Sequence, residues 1–465
     1  MVIDWKTFDF CSLFKEHGLV PMGKKRRKDN RYTMELYCAF DIETTTIWMD
    51  EDRTKYDVHS FMYSWAFQIE DYTIQGREWK DFFDFLSVLS DALEFVRNDL
   101  YCEEKPKLVI WVHNLAYEFS FLSGLYPFRD DEVFFRDIRK PIYCKMFDVF
   151  EFRCSYIQTN MSMAVFCKQM GVPEKLSGQK FDYEKIRFPW TELTEYEQEY
   201  IIRDVESLVQ AMKKRVQQNG DNLTTVPLTS TGYVRRECKD SLKGWYYDIT
   251  AMKPDERQYR LLRKAFRGGN THANRAFAGK IIEDVNSYDI VSCYPTQQLT
   301  QRFPMKPYRW LDCRLTLERI FKFIGLGYSV VGLYQFKGLR LKNKKEPIPY
   351  ISLSRTESLM YKTETDSNGK RYSIDLVKLD NGRILESYYT EIALTEIDLQ
   401  IVLEQYIFDE ISIIECMVAQ KDFLPEEYRN VIQNYYNNKT KLKGDDTDNG
   451  IYLYTKSKNM LNSVY

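Results

Sequence analysis

Apolar residues alternate with acids near the start of the chain, Ala39-Phe40-Asp41-Ile42-Glu43, and run on into Thr44-Thr45-Thr46. The period of two predicts a strand that ends in two carboxylates. Side chains at i and i+2 of a strand share a face, so Asp41 and Glu43 converge on one spot. A hairpin is predicted over 60–69 and 72–74, turning at Glu70-Asp71. A helix over 80–99 follows, with Phe82, Phe85, Leu86, Leu89, Leu93 and Val96 at helical spacing. The unbroken apolar run 107–112 predicts a strand buried on both faces. It leads into His113-Asn114-Leu115-Ala116-Tyr117-Glu118 and a helical pattern through Leu122. Further on, Thr194 and Glu197 have the spacing of a capping box. Ile201, Val205, Leu208, Met212 and Val216 then make one stripe of a long amphipathic helix, on which Tyr200 and Asp204 stack four residues apart.

The second half has fewer long patterns. Ala265-Phe266-Arg267-Gly268-Gly269 sets a double glycine beside an arginine, which lets backbone approach a phosphate closely. Tyr288-Asp289-Ile290-Val291-Ser292-Cys293-Tyr294-Pro295 reads as an acid after an apolar strand, stopped by a proline. Between 300 and 423 short strands such as 328–335 and 372–379 alternate with polar turns such as Asp366-Ser367-Asn368-Gly369. Residues 454–465 read as a helix with Lys458, Asn462 and Tyr465 on one face.

A length of 465 residues calls for two to four subdomains. The net charge of −2 is neutral evidence on nucleic acid, because local clustering of Lys and Arg is what matters there. The ten scattered cysteines form no CxxC pair and only four histidines are present, which argues against a zinc site and for reduced, buried thiols. No apolar run is long enough to span a bilayer and no signal peptide opens the chain, so a soluble intracellular protein is expected. The basic run Lys24-Lys25-Arg26-Arg27-Lys28 reads as a solvated loop in preference to a DNA-backbone contact.

Two like charges on one strand face need a cation between them, and Mg²⁺, an oxygen-seeking ion, is the natural answer. Taken singly, each acidic segment also has a bland reading: solvated acids, an acid favoured by a helix dipole, a surface Tyr–Asp pair. Together, in this chain order, they resemble a DEDD-type 3′–5′ exonuclease on an RNase H-like fold. That resemblance implies that Asp41, Glu43, Glu118 and Asp204 hold two divalent ions, with Tyr200 orienting the attacking water. Thr44, His113, Asn114 and Tyr117 would then lie along the 3′ end of a single strand.

The chain as a whole resembles the family B DNA polymerases, most closely the protein-primed phage and organellar-plasmid branch. Asp-Ile-Glu-Thr-Thr-Thr, His-Asn-Leu-Ala-Tyr-Glu and Tyr-Ile-Ile-Arg-Asp are similar to its three exonuclease motifs. Phe-Arg-Gly-Gly resembles its YxGG linker, Asp-Ile-Val-Ser-Cys-Tyr-Pro its DxxSLYP palm motif, and Lys-Asn-Met-Leu-Asn-Ser-Val-Tyr its KxxxNSxYG fingers motif. The resemblance implies an α/β and α+β multidomain chain: an RNase H-like 3′–5′ exonuclease domain over 1–225, then an incomplete palm and fingers. The first part of the palm would span 226–300, a palm insertion like the region that contacts the priming protein 301–422, and the start of the fingers 423–465. Asp289 would be a catalytic metal ligand. Ser292, Tyr294, Lys439, Lys458, Asn462 and Tyr465 would surround the incoming nucleotide, and Ser155, Arg267, Gly268 and Gly269 would contact DNA. Implied cofactors are Mg²⁺ ions in two-metal sites, with Mn²⁺ as the substitute. Implied partners are primer–template DNA, single-stranded DNA 3′ ends, dNTPs and a priming terminal protein, with no membrane. The implied setting is the cytoplasm of a phage host, or an organellar plasmid.

Three departures bear on this. Glu118 stands where the family has Asp, and Phe266 where it has Tyr. The chain also ends at Tyr465, before the family's second palm carboxylate motif. Asp446-Thr447-Asp448 spells that motif but precedes the fingers helix and sits among turn residues, so it is not expected to be catalytic. The expectation is therefore a fragment, or one chain of a split polymerase, with proofreading and polymerase motifs. The alternatives are a chain that acts only as a metal-dependent 3′–5′ exonuclease, and an inactive DNA-binding remnant.

Overall fold

The computed structural model describes residues 1–22, 31–48, 58–174, 176, 181–274, 277–311, 315–343, 348–445 and 447–464. The basic run 24–28, Asp446 and Tyr465 lie outside the described residues. Two compact units emerge, Met1–Val234 and Arg235–Tyr465.

Among the described residues the first unit holds a seven-stranded sheet. Its strands are β1 (Cys38–Trp48), β2 (Val58–Ile69), β3 (Tyr72–Gly76), β4 (Leu108–Val112), β5 (Val133–Asp137), β6 (Lys140–Met146) and β7 (Phe150–Cys154). They lie in the order β3-β2-β1-β4-β7-β6-β5. The β1–β4 and β4–β7 pairs are parallel and the others antiparallel. Helix α1 (Trp79–Asp99) presents Phe82, Phe85, Leu86, Leu89 and Leu93 to Cys38, Phe40 and Ile42 of β1 in one buried core. Each such side chain contributes about 1.5–3 kcal/mol over leaving it in water. The alternate residues of β1, Asp41 and Glu43 among them, are therefore left for the opposite face. There α3 (Glu195–Gln218) packs against β1 and β2 with Val205, Leu208, Met212 and Val216 buried. A short helix α2 (Ala116–Leu122) follows β4.

One expectation changes here. Asp41 and Glu43 lie inside β1, not at its end, because the β-branched stretch Thr44-Thr45-Thr46-Ile47 continues the ladder with β2. The register slips by one residue between Glu43 and Thr44, and such a bulge re-aims the side chains beside it.

The second unit is built on three long strands, β8 (Tyr328–Leu341), β9 (Arg383–Thr395) and β10 (Glu410–Phe423), with β8 antiparallel to both neighbours. Helix α4 (Glu256–Ala265) buries Leu261 and Ala265 against Val331, Leu333 and Ala393 of this sheet. Beyond it come α5 (Cys293–Thr300), α6 (Glu426–Lys441) and α7 (Asp448–Asn462), the last two packed together. The predicted strand at 328–335 extends to Leu341. The one at 372–379 is two strands, Arg371–Asp375 and Val377–Asp380, each paired with a different neighbour.

Two further differences follow from neighbours that a sequence pattern cannot supply. The apolar stretch before Asp289 is not a strand: residues 280–290 are irregular, and Ile281, Val285, Tyr288 and Ile290 are exposed. Among the described residues no strand pairs with it, and a strand exists only by its ladder. Helix α7 begins six residues earlier than the pattern predicts, because the Thr447 hydroxyl accepts from the Gly450 amide at 3.0 Å and caps it. Asp448 therefore opens a helix, not a hairpin strand. The cysteines among the described residues are free and mostly buried. Among the same residues no helix is long and apolar enough to cross a membrane.

Candidate active site

The first unit carries a cleft of about 260 Å³ whose lining includes Asp41, Glu43, Glu118, Asp204, Tyr200 and Tyr117. One carboxylate oxygen from each of Asp41, Glu43 and Asp204 lies within 4.8 Å of the others. Among the described residues this is the one group of acidic, His or Cys side chains so gathered. Two of these acids come from adjacent odd positions of β1, and the third from one turn beyond Tyr200 on α3.

Glu118 completes the set from the first turn of α2. It is only 2 % exposed, and its Oε2 has no hydrogen-bond partner. Burial, with the Glu43 charge added, pushes its carboxyl up to about 8; bonds to its own backbone and to Asp41 offset this only in part. A buried acid with an unsatisfied oxygen, beside Asp41 and Glu43 in a cleft that Asp204 also lines, is the environment a divalent cation relieves. The donors are all hard carboxylate oxygens, a set that takes a divalent cation.

Tyr200 is buried, and its hydroxyl is 2.8 Å from that of Tyr183. Burial and the nearby Asp204 and Glu43 charges hold it firmly protonated, so it serves as a neutral hydroxyl at the rim of the acidic cluster. The Thr44 and Tyr117 hydroxyls are hydrogen-bonded to each other. Asn114 is exposed with φ of +70°, a conformation asparagine tolerates, and its carbonyl accepts from Tyr117 N–H as α2 begins. His113 lines the cleft, with Nδ1 3.0 Å from Ser155 Oγ. Ser155 itself donates to the Val112 carbonyl, so its lone pair is left for the His113 N–H. Ser155 is fully buried, so it acts behind His113 and not on a surface that DNA could touch.

Sequence reasoning missed what holds this wall. Arg187, 2 % exposed, donates from Nε and Nη2 to Glu197 Oε1 at 2.9 and 2.6 Å. Its Nη1 binds the carbonyls of Asp182 and Lys185, at 2.7 and 2.9 Å, and so fixes the segment that bears Tyr183. Burial alone would raise the Glu197 carboxyl, but the Thr194 amide, Arg187 and Lys185 outweigh it and hold it at about 2. The capping box was legible; the arginine that shares Glu197 was not, since nothing local marks it.

In the second unit, Lys439 of α6 donates to Ser292 Oγ at 2.9 Å. Ser292 has φ of +48° at the start of α5, which a serine adopts only at some cost. Tyr294 is half exposed beside it on α5, while Lys458 and Asn462 stand exposed on α7. Asp289 is exposed in the irregular segment and belongs to no group of three or more acidic, His or Cys side chains gathered at metal-ligand distance among the described residues. Arg267 does not reach outward: it meets Asp398 at 3.0 Å and the Ala393 carbonyl at 2.7 Å, which makes it a structural tie. Gly268 and Gly269 are exposed in open space with no positive φ, so the fold itself does not require glycine there.

Residues 148–465, more than half of the chain, match the family model for DNA polymerase type B, organellar and viral. The chain belongs to that family. DNA polymerases of Bacillus phage Nf and Bacillus phage M2 are each 30 % identical over 131 residues, 26 % of this chain and 21 % of theirs. The fold is that of Phi29 DNA polymerase. Its complex with primer-template DNA matches with a TM-score of 0.60 at 16 % identity, over 92 % of this chain and 66 % of that one. Its complex with single-stranded DNA matches at 0.58 over the same shares. The chain thus spans less than two thirds of that polymerase, and the aligned part about a fifth of the curated phage relatives.

Proposed function

We propose that this chain is the proofreading and nucleotide-binding portion of a DNA-templated DNA polymerase, and that its first unit is a 3′–5′ exonuclease. The observation that carries the reading is the cleft in which Asp41, Glu43, Glu118 and Asp204 converge beside Tyr200, in a chain of the type B family. These four carboxylates would hold two divalent ions, Mg²⁺ or Mn²⁺. Bound there, the ions supply the positive charge that activates water and steadies the leaving oxygen. Tyr200 orients the water by its neutral hydroxyl. Tyr117, Thr44 and His113 seat the terminal nucleotide, with Asn114 at the edge of the same wall.

The second unit would bind primer–template DNA and an incoming dNTP. Lys439, Ser292 and Tyr294 supply one contact surface, and Lys458 and Asn462 on α7 another. Asp289 serves as a metal ligand and Gly268-Gly269 as a close backbone approach to phosphate. We assign the subdivision at about 300 and 422 within this unit on the same grounds. A priming terminal protein, and action in the cytoplasm of a phage host, complete the proposal. The exposure of Asp289, outside any group of three or more such side chains among the described residues, favours one second reading, that the chain as it stands only degrades DNA.

A primer-extension assay with a 5′-labelled primer, Mg²⁺, and reactions with and without dNTPs separates the two. Shortening in both reactions, without elongation, establishes the exonuclease and the second reading. Elongation with dNTPs establishes polymerisation. An unaltered primer in both refutes the nuclease assignment.

A further inference from the structure

Beside the acidic cleft, three aromatic rings form a stack. Phe61 and Phe188 lie 5.4 Å apart at 17° between planes, and Phe188 and Trp190 4.9 Å apart at 2°. Phe61 is on β2 directly across from Thr45, two residues beyond Glu43, so the stack is rooted about 7 Å along the strand from a metal-ligating position. The outermost ring, Trp190, is 80 % exposed although one face of its indole is covered by Phe188.

The turn that carries Trp190 is tied on both sides of it. Thr191 N–H donates to the Phe188 carbonyl at 2.9 Å, and Phe188 N–H to Thr191 Oγ1 at 2.8 Å. Arg77 Nη2 ties both carbonyls, Phe188 at 3.0 Å and Thr191 at 2.9 Å. Pro189 stiffens the turn further, and the Arg187–Glu197 pair anchors the preceding residues. Folding does not call for a large aromatic there: Trp190 buries little, and this unit's core is complete without it. A rigid, ordered indole with a free face has already met the entropy cost of ordering, which is what a binding platform needs.

We infer that Trp190 is a stacking platform for an unpaired nucleobase of the DNA strand whose 3′ end enters the cleft; this rests on the exonuclease reading above. Every base has a π-face, so the contact is blind to sequence, as trimming of any mismatched end requires. The bound base extends the Phe61–Phe188–Trp190 stack by one layer and holds the strand near the acids.

The test measures binding apart from cleavage. The full chain is titrated, in EDTA, with a short fluorescein-labelled oligothymidylate, intact or carrying one abasic site scanned along it. Trp190→Ala should weaken the intact oligonucleotide roughly tenfold, and Trp190→Phe should restore most of the loss. One abasic position should cost the wild type a similar factor yet cost Trp190→Ala nothing further. Equal affinities of wild type and Trp190→Ala, or identical abasic profiles in both, overturn the platform. Trimming by the wild type, followed separately with Mg²⁺, keeps the two claims apart. Binding with the expected profile but no trimming refutes the nuclease alone, and trimming with no effect of Trp190→Ala refutes the platform alone.

Discussion

Replacing Arg187 by methionine tests how the wall of the cleft is held. The guanidinium is 2 % exposed and makes two bonds to Glu197 and two to the carbonyls of Asp182 and Lys185. Methionine fills similar volume, so the loss is one of partners and not of packing. Glu197, itself 6 % exposed, is left with the Thr194 amide and the half-exposed Lys185 ammonium at 3.1 Å. Breaking a buried ion pair from one side costs about 3–5 kcal/mol, and the remaining Lys185 contact places the expectation near the lower end, about 3 kcal/mol. Urea denaturation at neutral pH measures it. The double change Arg187→Met/Glu197→Gln should recover part of the loss, because no charge is then stranded. The pH dependence carries the same signature. In the wild type the depressed Glu197 carboxyl contributes stability that is present above about 4.5 and is lost as pH falls toward about 2. In Arg187→Met that loss should begin at higher pH. Strictly additive effects of the two changes, or a single-variant cost below about 1 kcal/mol, would show that Glu197 does not depend on Arg187 and refute the reasoning.

Other outcomes follow from the site. An Asp41→Ala/Glu43→Ala double change should abolish Mg²⁺-dependent shortening of a labelled single strand; persistent trimming removes these acids from the mechanism. Glu118 is protonated in the folded, metal-free chain more than in the unfolded one, so the metal-free chain should lose stability as pH rises from about 4.5 to about 8. Thermal melts in EDTA across that range should show the decline, Glu118→Gln should flatten it, and Mg²⁺ should reverse it at the alkaline end; a slope unaffected by Glu118→Gln contradicts the assignment. Asp289→Asn should abolish nucleotide incorporation in a version of the polymerase that elongates primers, measured by gel extension; normal synthesis would remove Asp289 as a ligand.

The sequence by itself determined what depends on period and residue type. Alternation at 39–43 put Asp41 and Glu43 on one face, the helical stripe from Ile201 to Val216 set Asp204 below Tyr200, and Thr194 with Glu197 marked where that helix starts. These are local properties, fixed within a few residues, and they survive any tertiary arrangement that buries the apolar side. Tertiary structure decided everything that depends on a distant partner. Burial inside the folded unit, with the Glu43 charge added, raises the Glu118 carboxyl. Ser155 lies behind His113 because β7 runs alongside β4, and Arg267 turns inward because Asp398 waits on a helix more than a hundred residues away. The stretch before Asp289 has the composition of a strand but, among the described residues, no ladder to join, and Arg187 has no local mark at all yet ties together the wall of the cleft. Side-chain chemistry is written residue by residue, whereas burial, pairing and charge proximity are properties of contacts between segments and arise only when the chain has folded.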